Sequence, residues 1–191
     1  MEEQFEYELI ELLVEPEAST SRTQMVCDET ELLYGSIEYD ENGIPKGSTM
    51  EEIRKRQELV KAFFNEWLKN NPAANVVNDS LDDKIYVRPV SIGEAMEHSS
   101  KSYLSTVALK HLSEILQKAR PVGRVPIKIG NRRQSRFEYM LIMAYELPQI
   151  GKIKLTIGIM KKTEERVEYG VTVLREGDVL INRKRKAPHK K

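Results

Sequence analysis

The sequence predicts an α+β fold in which helices pack on an antiparallel β-meander, behind a small acidic N-terminal segment. Three observations lead there. Apolar residues recur at helical intervals from Ile53 to Leu68, the period changes to two from Phe137 onward, and the charge changes sign near residue 50. The 191 residues, 40% of them hydrophobic, suffice for one core of ordinary size with an appendage.

Residues 1–50 carry 13 Asp or Glu against Arg22 and Lys46, a balance of −11, and residues 51–191 carry 28 Lys or Arg against 17 acids, a balance of +11. The change coincides with DENGIPKGSTMEE, where Asn42-Gly43, Pro45 and Gly47 break local structure. This sets apart residues 1–47 as the acidic segment, 48–182 as the α+β domain and 183–191 as a basic disordered tail. In the first, QFEYELIELLVE and ELLYGSIEY suit the two strands of a hairpin, with Phe5, Tyr7 and Leu9 alternating and ASTSRT looping between them. Opposite charge leads to the expectation that the acidic segment contacts the basic domain and competes there with nucleic acid.

In the domain, Thr49 and Glu52 have capping-box spacing, and Ile53, Gln57, Val60, Phe63, Phe64, Trp67 and Leu68 form an amphipathic stripe that Asn70-Asn71-Pro72 ends. Apolar residues at this spacing ordinarily face a core. DKIYVRPVSI reads as a strand over roughly 84–90, ended by Pro89, and a helix is expected from about 92 to 118. FEYMLIMAYEL, KIKLTIGIM and RVEYGVTVL then give three strands, with VLIN at 179–182 as an extension. Ile153, Leu155, Ile157 and Ile159 share one face; Lys154, Thr156, Gly158 and Met160 share the other. In the third strand, Val167, Tyr169, Val171 and Val173 oppose Glu168, Gly170, Thr172 and Leu174. The face rich in Thr and Gly leaves backbone open to a ligand, or is simply a solvated sheet surface.

Several function classes lose support. The chain has no Walker loop, no G-x-G-x-x-G after a strand, no H-E-x-x-H, no C-x-x-C and no G-x-S-x-G. Cys27 stands alone, and His98, His111 and His189 have no ligand spacing for a closed zinc site, so neither a metal nor a cofactor is expected. MEEQFEYELIELL is acidic where a secretory signal would be basic, and the longest apolar run, Tyr139 to Tyr145, is far below the ~20 residues that span a bilayer. A cytoplasmic protein with no membrane partner is expected.

The clearest positive signal is a run of seven cations without an acid from Lys118 to Arg136, including Arg124, Arg132, Arg133 and Arg136. Arginine forks suit phosphate, and such a run can follow a nucleic-acid backbone; it reads equally as a solvated loop between helix and sheet. The second signal is EAMEHSSKSYLSTVALKHL. At ~100° per residue, Glu94, His98, Lys101, Ser102 and Ser105 lie on the side of the helix that carries Ala108, Leu109, Leu112, Ile115 and Leu116. A continuous helix would present them as the wall of a cleft. A break at Ser99-Ser100, two poor helix formers, would return them to solvent. Cleaving RNA without a metal needs a base for the 2′-hydroxyl proton, an acid for the leaving oxygen and cations for the phosphate. Glu94 and His98 are the candidates for acid and base; Lys101, Ser102, Arg124, Arg132, Arg133 and Arg136 are the candidates for phosphate and nucleic-acid binding.

Ile85, Val87, Ser91, Ile92, Glu94, His98, Ser100 to Tyr103, Ser105, Thr106 and Lys154 to Gly158 form the pattern I-x-V, S-I-x-E, H-x-S-K-S-Y-x-S-T and K-L-T-I-G. This resembles a large polyvalent protein-associated domain of phages and conjugative elements, over roughly residues 50–175. The resemblance implies a mobile-element setting. The helix-then-meander order is also similar, at fold level, to the barnase, EndoU and RelE-like nucleases, which implies a barnase-like layout and RNA cleavage without a metal. The chain departs from many of these in having no histidine on a meander strand. The expected function is a nucleic-acid-associated domain, a metal-independent ribonuclease acting on RNA in preference to DNA; the alternative is a non-enzymatic module that docks a partner protein.

Overall fold

The computed structural model describes residues 36–181, which belong to a compact unit beginning at Ser36. The turn expected to end a separate module lies inside this unit. Asp40 Oδ1 accepts from the backbone N–H groups of Asn42 (2.9 Å) and Ile44 (2.8 Å), Gly43 takes φ +72°, and Ile44 is buried. An Asx turn of this kind uses the same residues that mark a linker in a sequence. The hairpin suggested for the acidic segment, its contact with the basic domain, and the basic tail fall on residues that lie wholly or mainly outside those described.

Helix α1 (Met50–Asn70) begins with the expected capping box: Glu52 N–H donates to Thr49 Oγ1, and Thr49 N–H donates to Glu52 Oε2. Its buried stripe is Glu52, Arg56, Val60, Phe64 and Trp67, so two charged residues extend the apolar face. β1 (Asn75–Asn78) and β2 (Asp83–Tyr86) form a hairpin. β1 was not legible in the sequence, since four residues, NVVN, are too short to show a period. Asn78, fully buried, donates to the carbonyls of Leu116 (2.7 Å), Gln117 (3.0 Å) and Ala119 (2.9 Å), and its Oδ1 accepts from Ser80 and Leu81. It thus satisfies carbonyls at a helix end that would otherwise be orphaned. Asn78→Ala is expected to cost about 2 kcal/mol, read as a lower urea midpoint at unchanged slope.

The helix expected over 92–118 is broken. α2 runs over Pro89–Glu97, with Pro89 at its first turn, followed by a 3-10 turn (Ser99–Lys101), α3 (Tyr103–Leu109) and α4 (Leu112–Lys118). Ser102 is extended and caps α3 by accepting from Ser105 N–H, which fixes one interruption. The basic run after α4 is not one loop, because its first half is strand β3 (Arg120–Pro126). β4 (Phe137–Leu147), β5 (Gly151–Met160) and β6 (Arg166–Val173) follow.

The six strands form one sheet in the order β1-β2-β6-β5-β4-β3. β4 to β6 make the expected antiparallel meander, β3 adds an unexpected antiparallel strand beside β4, and β2 joins β6 in parallel, so the sheet is mixed. The fold is α+β, with four helices among the described residues. No strand forms over 179–181; Ile181 instead packs against Gly123, where an added Cβ would lie 2.7 Å from its Cδ1. No helix among the described residues is long and apolar enough to cross a membrane.

The main core joins Val60, Phe64 and Trp67 of α1, Leu109 of α3 and Leu112, Ile115 and Leu116 of α4 to Ile153, Leu155, Ile157 and Ile159 of β5. A bulge at Thr156/Ile157 alters the alternation expected for β6. Thr156 pairs with Gly170 and Ile157 with Glu168, leaving Tyr169 as the extra residue. Val171 and Val173 therefore join the main core, whereas Val167 and Tyr169 pack with Phe137 and Met140 in a second cluster. Glu168 shares the register of Ile157 and is fully buried.

Candidate functional site

Beyond Val167, β6 has no strand on its β2 side, because β2 pairs only with Arg166 and Val167. An unpaired edge leaves backbone groups without partners. Three serines supply them. Ser91 Oγ donates to Glu168 O (2.6 Å), Ser99 Oγ donates to Val171 O (2.8 Å), and Ser105 Oγ accepts from Val173 N–H (3.1 Å). The segment from α2 to α3 thus runs along β6 as a substitute strand. This explains why polar residues continue an apolar stripe: Ser91, Ser99, Ser100, Ser105 and Thr106 are buried for backbone pairing, not for solvent. Most of the H-x-S-K-S-Y-x-S-T motif has such a task. Ser100 donates to Met96 O, Ser102 caps α3, Tyr103 donates to Asp40, and Thr106 donates to the carbonyls of Ser99 and Ser102. His98 and Lys101 are exposed and lie outside this pairing.

The same course brings Glu94, buried at 4% exposure, to the edge of a cleft of about 210 Å³ on the sheet face opposite α1. The β3–β4 turn closes over it. Gly130 takes φ +82°, Asn131 Oδ1 accepts from Arg133 and Gln134 N–H, and Lys128 N–H donates to Gln134 Oε1 (2.7 Å). Arg133 consequently reaches α2, donating to Glu94 Oε1 at 2.9 Å and to Glu97 Oε2. These two carboxylates push the Arg133 guanidinium up, and Arg133 holds Glu97 below the usual carboxylate range. His98 Nε2 lies 3.5 Å from Glu94 Oε2 and 3.7 Å from Glu97 Oε1, with its ring largely open to solvent.

Of the residues singled out in the sequence, the fold brings together Glu94, His98 and Arg133. Only Glu94 and His98 line the cleft; Arg133 holds Glu94 from beside it, and the others lie elsewhere. Lys101 is exposed on the 3-10 turn, Ser102 is a helix cap, Arg124 stacks on Tyr139 with its guanidinium 4.7 Å from the ring, and Arg132 and Arg136 are exposed on the turn. The other polar lining comes from the β3–β4 turn and the sheet: Lys128 of the turn and Lys154, Thr156, Tyr169 and Thr172 of the strands join Glu94 and His98. Lys154, Thr156 and Thr172 lie on the face read from the sequence as rich in Thr and Gly. Of its glycines, Gly158 is covered by the Phe137 ring, whose Cδ1 would lie 2.6 Å from an added Cβ, whereas Gly170 has nothing within 4 Å and leaves the cleft open.

Two buried polar groups here lack partners. Both carboxyl oxygens of Glu168 and the hydroxyl of Tyr169 make no hydrogen bond. Burial pushes the Glu168 carboxyl up to about 8; the nearby Ser91 hydroxyl opposes the rise and the Glu94 charge adds to it. Burial likewise raises the Tyr169 phenol, which stays a donor at neutral pH. Nothing in the alternation of β6 pointed to either, since the bulge that turns them is invisible to a period of two.

Compared with protein-family models, curated proteins and solved structures, the chain shows no match.

Proposed function

We propose that this cleft binds RNA and cleaves it without a metal ion. The observation that carries the reading is the convergence of a buried carboxylate, an imidazole and two cations, Lys128 and Lys154, on one concave surface, with Arg133 bound to the carboxylate from beside it. Arg133 lies between two carboxylates, a local charge of −1 that Lys128 and Lys154 reverse, so the cleft attracts a phosphate.

Glu94 and His98 are too close together to act from opposite sides of a phosphate. They serve as one unit. His98 takes the proton of the 2′-hydroxyl, while Glu94, steadied by Arg133, stabilises the imidazolium that forms. The 2′-oxygen then bonds to phosphorus, the bond from phosphorus to the 5′-oxygen breaks, and the Lys154 ammonium gives a proton to the leaving oxygen. The products are a 2′,3′-cyclic phosphate and a 5′-hydroxyl. The Ile85 to Gly158 motif resemblance supports a mobile-element setting for such a domain.

Incubation with mixed RNA in EDTA tests the reading. The unaltered protein is expected to generate cyclic-phosphate ends, and His98→Ala or Lys154→Ala to slow this about 100- to 10,000-fold. Equal cleavage by all three proteins, or none by any, would sink it.

A further inference from the structure

The phosphate-directed groups occupy only part of the cleft. Met140 and Ile142 line it with Val125 and Pro126, an apolar wall that a sugar-phosphate backbone has no use for. Beside this wall lie the partnerless hydroxyl of Tyr169 and the carboxamide of Gln134, whose Oε1 is taken by Lys128 N–H. Flat apolar walls with a few convergent polar groups are what a planar heterocycle needs. The size agrees: the space of about 210 Å³ admits a small ring system.

We infer that the cleft takes a single unstacked nucleobase, seated against Met140 and Ile142 and hydrogen-bonded by Tyr169 and Gln134, with its 3′-phosphate at Lys128 and Lys154. This deepens the RNA reading proposed above and rests on it. The substrate class that follows is single-stranded RNA, since a base held in a duplex stack cannot enter such a space.

Gly170 supplies the decisive variant. It lines the cleft, has no positive φ, and an added Cβ meets nothing within 4 Å, so Gly170→Val fills the base site with a residue that strands favour. Calorimetric titration of the full chain should show adenosine 3′-monophosphate binding about tenfold or more tighter than inorganic phosphate. Gly170→Val should remove that advantage while leaving phosphate affinity and thermal stability in place, and Tyr169→Phe should reduce it. The same protein should bind a single-stranded RNA oligomer more tightly than the corresponding duplex. Equal affinity for the nucleotide and phosphate, an advantage that survives Gly170→Val, or equal binding of duplex would each overturn the base site. Those results leave cleavage to be judged by the EDTA assay, whereas a base site intact in a protein that cleaves nothing removes only the catalytic reading.

Discussion

Glu168→Gln is expected to be more stable than the unaltered protein at pH 9 and nearly equal to it below pH 4.5. The Glu168 carboxyl is fully buried, its oxygens have no partner, and its value is raised from 4.5 to about 8. Between these values the folded protein keeps a proton that the unfolded chain releases. Stability therefore falls as pH rises across the interval, by about 1.4 kcal/mol per pH unit for one proton, and levels off once the folded group ionises. Glutamine has nearly the same shape and no proton to lose, so the variant's stability lacks this slope. The gap at pH 9 should reach about 3–5 kcal/mol. The charged group beside Glu168 is Glu94, and its repulsion works in the same direction. Urea denaturation at intervals from pH 4.5 to 9 measures the effect. Parallel stability curves for the two proteins would show that Glu168 is already ionised in the fold.

The same residue shows what the sequence could and could not convey. The meander was legible because Ile153 to Ile159 and Phe137 to Leu147 keep a strand pattern through long elements, and strong periodicity survives local irregularity. The α1 stripe and its Thr49–Glu52 cap were legible for the same reason. Three kinds of feature were not. Four-residue β1 is too short for a period to stand out. The β6 bulge is set by how β5 pairs with it, a tertiary matter that the sequence of β6 does not contain. Two poor helix formers in succession suggest a break at Ser99-Ser100, but not the task of the serines there. That task depends on β6 lacking a neighbour, which makes serine hydroxyls worth more as backbone partners than as part of a continuous helix.

The candidate site divides along the same line. Glu94 and His98 could be paired from their spacing alone, because four residues make one helical turn and α2 extends far enough to hold that geometry. Arg133 could be suspected from the density of cations, but not distinguished from Arg132 and Arg136 beside it. What separates it is the Asn131 turn, which aims one side chain at α2 and leaves its neighbours in solvent. Lys154 and Tyr169 belong to strands whose register with the turn and α2 decides that they share one cleft.

Arg56→Met is expected to lower stability by about 3–5 kcal/mol, among the larger losses a single substitution produces. Arg56 is fully buried on α1 and joins three segments through carbonyl oxygens. Nε donates to Ser100 O, and Nη1 donates to Pro45 O and Gly47 O, each at 2.7 Å. Burial lowers its pKa and the Glu52 carboxylate opposes that shift. Methionine keeps much of the apolar stem and so isolates the loss of the guanidinium. It leaves three carbonyls without their donor, and Glu52, itself buried, without its nearby cation. Arg56→Lys keeps the charge but not the fork that reaches Ser100 on one side and the Pro45 to Gly47 turn on the other, so an intermediate loss is expected. Because Ser100 follows directly on the Ser99 that pairs with β6, loosening it should also disturb the seating of His98. In hydrogen exchange, the amides of Lys101 and Ser102 should then lose protection before those of β5. A methionine variant within about 1 kcal/mol of the unaltered protein would show that the turn and the 3-10 segment hold their places without this arginine.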